Sequence, residues 1–92
     1  TTPATSDPDV ELSALRGEID TINQEILTLL NKRAKVVLEI GKLKKENSMA
    51  VYDPAREKEI EKSLVEMNTG PMPDESVIKI FREIISACRS LQ

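Results

Sequence analysis

The apolar residues Leu12, Leu15, Ile19, Ile22, Ile26 and Leu29 recur at alternating steps of three and four, and the next step lands on Arg33. The pattern then resumes at Val36, Ile40 and Leu43. A charged guanidinium on such a seam is costly unless an anion meets it. Eleven residues on, Lys44 lies only about 20° further round a helix, with its Cα about 16 Å away, so two long side chains leaning together leave a gap of small-molecule size. Glu57 falls three residues before Ile60 and continues an apolar stripe; Gln92 follows Phe81, Ile85 and Cys88 around another. Each has an ordinary explanation when taken singly. Arg33 can pair with a glutamate or set helix register, Glu57 can face solvent, and Gln92 can be surface. Jointly, two cations, a carboxylate and an amide aimed inward from three elements have the form of a site for a small polar anion.

The elements that must position them are helices. TTPATSD is polar and contains proline, and residues 1–7 are expected to be frayed or disordered. Ser6 or Asp7 can cap a helix whose first turn holds Pro8, Asp9 and Glu11. No proline follows until Pro54, so one helix is expected over about 8–46, roughly 58 Å long. The remaining ~45 residues cannot cover it, and a second copy of the chain must supply the other surface. Asn47 and Ser48 end this helix. Asp53, first of all an N-cap, and Pro54 open a second over about 54–67, with Ile60, Leu64 and Met67 on one face. NTGP stops it, with Gly70 placed for a left-handed cap. PDES starts a third helix over about 73–91, with an inner stripe of Val77, Ile80, Phe81, Ile84, Ile85, Cys88 and Leu91. The expected fold class is all-α, with residues 8–92 a single domain.

Composition narrows the function. The 92 residues are 39% hydrophobic and 32% charged but only 2% aromatic, a balance that suits long amphipathic helices better than a β-sandwich. A net charge of -3 without a basic, aromatic-rich run argues against nucleic acid as a partner. No apolar run is long enough to span a membrane, and no signal-peptide pattern appears. One cysteine fits a reducing cytoplasm. The chain has no histidine, which removes imidazole catalysis and the commonest zinc ligand. The missing initiator methionine and the end at Gln92 are what a processed or excised piece of a longer chain would show.

ALR at 14–16, LLNKR at 29–33, EIGKLK at 39–44, YDPAREKE at 52–59 and IFREIISACRSLQ at 80–92 together resemble the all-helical chorismate mutases. The resemblance runs from Leu12 to Gln92. YDPARE and NTGP look most like the mutase domains fused to or associated with DAHP synthase, which opens the shikimate pathway. The family fold implies a three-helix protomer in an interlocked, helix-swapped homodimer. Arg16 and Arg33 lie seventeen residues apart, about 25 Å along one helix, and cannot hold one small molecule in cis. In the family the arginine matching Arg16 reaches the partner subunit's site.

The resemblance implies a role for each matching residue. Arg33 would bind one substrate carboxylate as a bidentate fork, and the partner's Arg16 the second. Lys44 would meet a carboxylate and the ether oxygen whose bond breaks, and Gln92 would donate to that oxygen. Glu57 would accept from the ring hydroxyl, helped by the Asp53 backbone, with Arg56 along the same wall. Cys88 stands where many members carry serine, and a thiol is a poorer hydrogen bonder. Gly41 costs about 1 kcal/mol in a helix relative to alanine, and a bare surface beside the ligand would be one reason to keep it. The implied reaction is the Claisen rearrangement of chorismate to prephenate in phenylalanine and tyrosine synthesis. That reaction needs no nucleophile, metal, cofactor or proton transfer. Two other readings stay open: an isochorismate–pyruvate lyase, and a non-catalytic regulatory and dimerisation domain that senses chorismate or prephenate.

Overall fold

The computed structural model describes residues 7–92 and is all-α, with α1 at Pro8–Glu46, α2 at Pro54–Met67 and α3 at Asp74–Arg89. Ser6 and the rest of residues 1–6 lie outside the described residues. Asp7 caps α1. Its Oδ1 accepts from the Asp9 N–H at 3.0 Å and its carbonyl from the Glu11 N–H at 3.0 Å. Asp9 and Glu11 in the first turn of α1, and Lys44 and Lys45 in the last, complement the helix dipole.

The end of α1 is closed by its own backbone. Ser48 takes a φ of 54°, in the left-handed region, which lets the Met49 N–H donate to the Lys44 carbonyl at 2.7 Å and the Ser48 N–H to that of Lys45 at 3.3 Å. This is a Schellman closure with serine where glycine is usual. At α2, the Asp53 Oδ1 accepts from the Arg56 N–H at 3.1 Å, and Pro54 has no N–H that would need an acceptor. Gly70 has the left-handed φ of 78°, but the C-cap of α2 is Asn68. The Asn68 amide donates to the Met72 carbonyl at 2.9 Å and to Asp74 Oδ1 at 2.7 Å, and its Oδ1 accepts from the Gly70 N–H at 3.0 Å. The cap falls on Asn68 because that one side chain ties the whole α2–α3 turn together. At the far end of α3, tight turns carry the chain on to Gln92, whose N–H donates to the Arg89 carbonyl at 3.1 Å.

The chain divides into two compact units, one ending at Asn31 and one comprising Lys32–Gln92. The first contains the N-terminal part of α1, whose seam residues Leu12, Leu15, Ile19, Ile22 and Ile26 are all exposed. In the second, α2 and α3 pack against one another. Ile85 and Cys88 of α3 are buried there, with Gly41 of α1, whereas Ile80 and Leu91 of the expected inner stripe are exposed in the single chain. Arg82 reinforces the pair by donating from Nη2 to Glu61 Oε1 at 2.8 Å. Val36, Ile40 and Leu43 of the seam remain exposed in this unit too. Among the described residues no helix is long and apolar enough to cross a membrane.

Candidate active site

A cleft of about 280 Å³ opens in the unit Lys32–Gln92. Its floor is apolar, with Val37 and Ile40 from α1, Ile60 from α2 and Ile85 from α3. Arg33, Lys44, Asp53, Arg56, Glu57, Cys88 and Gln92 all line it, so seven of the sequence-derived candidates are brought together. Arg16 belongs to the other unit and is exposed.

Several of the polar groups are held by identifiable local devices. Arg33 and Lys44 are both half-buried, and among the described residues neither pairs with a carboxylate. Lys44 Nζ donates to the Val51 carbonyl at 3.2 Å, which leaves two of its three donors for a ligand. The Asp53 carboxylate is taken up by the cap, and its carbonyl accepts from the Glu57 N–H at 3.2 Å. Its N–H is the backbone group left over. Arg56 sits at the rim, its side chain 64% exposed and 3.4 Å from Glu59. Such a pair contributes little, so its guanidinium is available.

Gln92 lies against α1. Its Nε2 donates to the Val37 carbonyl at 3.0 Å, which leaves its second amide hydrogen unused. Gly41 makes the approach possible, since a Cβ there would stand 3.0 Å from Gln92 Cγ. Cys88 is 6% exposed and a free thiol, packed as a small core residue at the cleft wall.

Arg89 lines the same cleft, and the sequence reading missed it. Its Nη1 donates to Glu57 Oε2 at 2.6 Å. The signal was faint, because a basic residue in the last turn of a helix is already explained by the dipole. Its spacing, four residues after Ile85, was the available clue.

Four cations therefore face two carboxylates, one of which caps α2 while the other already holds Arg89. The cleft is locally cationic in a chain of net charge -3. An anion small enough to enter would meet Arg33, Lys44 and the amide donor of Gln92.

Comparison with known proteins agrees with this arrangement. The chorismate mutase type II family model matches residues 15–92. The bifunctional chorismate mutase/prephenate dehydratase of Aquifex aeolicus (strain VF5) is 45% identical over 86 residues, covering 89% of this chain and 24% of that protein. The chain thus spans about a quarter of the length of such bifunctional relatives. The chorismate mutase of Methanocaldococcus jannaschii is 30% identical, with 89% of this chain and 84% of that protein aligned. A solved structure of chorismate mutase (form II) from Thermus thermophilus matches with a TM-score of 0.87 and 46% identity, over 88% of this chain and 92% of that one. With the match running from the second turn of α1 through α2 and α3 to the last residue of the cleft, the chain belongs to the chorismate mutase type II family.

Proposed function

We propose that the chain rearranges chorismate to prephenate, on the path to phenylalanine and tyrosine. The observation that carries this is the pair Arg33 and Lys44, half-buried in one cleft and without a carboxylate partner among the described residues. Their missing counter-charge is supplied by the substrate. Cations on the two carboxylates hold the flexible enolpyruvyl arm over the ring, so the reacting carbons stay close. As the C–O bond lengthens, negative charge grows on the ether oxygen, where Lys44 and the free amide hydrogen of Gln92 stabilise it. One such donor is worth about 3–4 kcal/mol, and even modest enzymes lower the barrier by about 8 kcal/mol, so orientation must supply much of the rest.

The proposed assembly is an interlocked homodimer in which Arg16 enters the partner's cleft. Nine seam residues from Leu12 to Leu43 are exposed, Leu29 to 61%. Covering each contributes about 1.5–3 kcal/mol, far more than a 92-residue chain with so small a core can forgo. Of possible covalent partners, the bifunctional relatives favour prephenate dehydratase over the DAHP synthase expected from YDPARE and NTGP. A lone free thiol suits a cytoplasmic setting.

Incubation with chorismate, followed by proton NMR, tests the reading. Prephenate should form faster than the spontaneous background, and the excess should vanish in Arg33→Ala. No excess would sink it and leave a domain that only senses these ligands.

Gly41→Ala should separate stability from turnover. Alanine favours the helix by about 1 kcal/mol. The added methyl, 3.0 Å from Gln92 Cγ, forces that side chain to shift and strains its bond to the Val37 carbonyl. Thermal melts should show stability held or raised, while kcat falls about tenfold. Unchanged kcat would remove Gln92 from the chemistry.

A further inference from the structure

Arg89 differs from the other cations of the cleft. Arg56 pairs within its own helix, and Arg33 and Lys44 pair with no carboxylate among the described residues. Arg89 instead reaches from α3 to α2, placing Nη1 2.6 Å from Glu57 Oε2, with its Cζ 4.8 Å from the centre of the Tyr52 ring. The short distance marks a charge-assisted hydrogen bond, and the ring face holds the guanidinium from a second direction. The pair is partly withdrawn from water, at 38% exposure for Arg89 and 28% for Glu57. It is therefore better ordered than an ordinary surface ion pair.

Only one oxygen of Glu57 is used. Among the described residues no side-chain or backbone donor reaches its Oε1. A glutamate has three rotatable bonds, and among the described residues Arg89 is the one side chain that holds its carboxylate in place.

We infer that Arg89 is a positioning residue: it fixes Glu57 through Oε2 and leaves Oε1 to accept from the hydroxyl of a ring-hydroxylated dicarboxylate. The inference rests on the mutase reading and deepens it. Arg89 then sets specificity for the hydroxyl without touching the ligand.

The test is a cycle of wild type, Arg89→Ala, Glu57→Ala and the double variant, assayed with chorismate and with an analogue lacking the ring hydroxyl. With chorismate, Arg89→Ala should lose about 10–50-fold in kcat/KM, and adding it to Glu57→Ala should cost less than about twofold more. With the hydroxyl-free analogue, Arg89→Ala should change little. Arg89→Lys, which keeps the charge but not the fork, should recover most of the loss with chorismate. Equal losses on both substrates, or additive losses with Glu57→Ala, would overturn the inference and make Arg89 a direct ligand contact or a packing residue. If Arg89→Ala fails to fold, Arg89→Gln takes its place in the cycle. If wild type shows no turnover, the mutase reading falls separately. The same cycle on chorismate binding by calorimetry then decides Arg89: coupling with Glu57 supports it, and additivity or absence of binding overturns it.

Discussion

Lys44→Ala is expected to lower kcat by about 10²–10³-fold while changing KM for chorismate less than about threefold. The magnitude is that of one preorganised donor aimed at charge which exists only in the transition state. Preorganisation is visible in the free chain: Nζ is already held by the Val51 carbonyl at 3.2 Å, and the residue sits in the last turn of α1. The ammonium therefore does not search for its position when the ether bond begins to lengthen. Arg33 meets charge present in ground and transition states alike, so its loss should raise KM as well as lower kcat. Steady-state kinetics on the two alanine variants separates these behaviours. If Lys44→Ala mainly raises KM and leaves kcat near wild type, Lys44 binds a carboxylate and the charge stabilisation at oxygen belongs elsewhere.

The second large effect is a recovery. Arg16→Ala and Lys44→Ala should each be nearly inactive alone, yet unfolding and refolding them together should restore about a quarter of wild-type turnover. In a random mixture half of the dimers are mixed. In each mixed dimer one cleft combines an intact Lys44 with the partner's intact Arg16, and the other has lost both. Arg16 is exposed and belongs to the unit ending at Asn31, whereas the cleft is built from Lys32–Gln92. Native mass spectrometry would establish that mixed dimers formed. Mixed dimers without recovered activity would show that Arg16 serves its own chain or none.

The helices were legible because their signals are local. The 3/4 apolar alternation of α1, the Asp53–Pro54 start of α2 and the stripe of α3 are each written within a few turns of sequence. Gly70 misled as a cap because the competing residue, Asn68, works through bonds to Met72 and Asp74, and no propensity encodes those. In the cleft, Arg33, Lys44, Glu57 and Gln92 stood out as polar interruptions of apolar faces. Asp53, Arg56 and Cys88 did not, since a cap, an exposed arginine and a small core residue need no further explanation; only the family resemblance singled them out. Arg89 escaped both routes. Its meaning lies in a contact thirty-two residues away in the chain, and its position at a helix end supplied a sufficient ordinary reason. The same holds for the Val37 carbonyl, a backbone atom that no residue type announces.

The connection from α1 to α2 is closed twice on a single residue. The Lys44 carbonyl accepts from the Met49 N–H at 2.7 Å, and its ammonium donates to the Val51 carbonyl at 3.2 Å. Surface loops ordinarily tolerate insertions, because lengthening them costs little chain entropy. This one does not have that freedom. One extra residue between Ser48 and Val51 would detach an acceptor from the ammonium or shift it, although neither Lys44 nor any other cleft residue had changed. Over evolutionary time, the length of this segment should be held as strictly as the identity of the lysine it anchors.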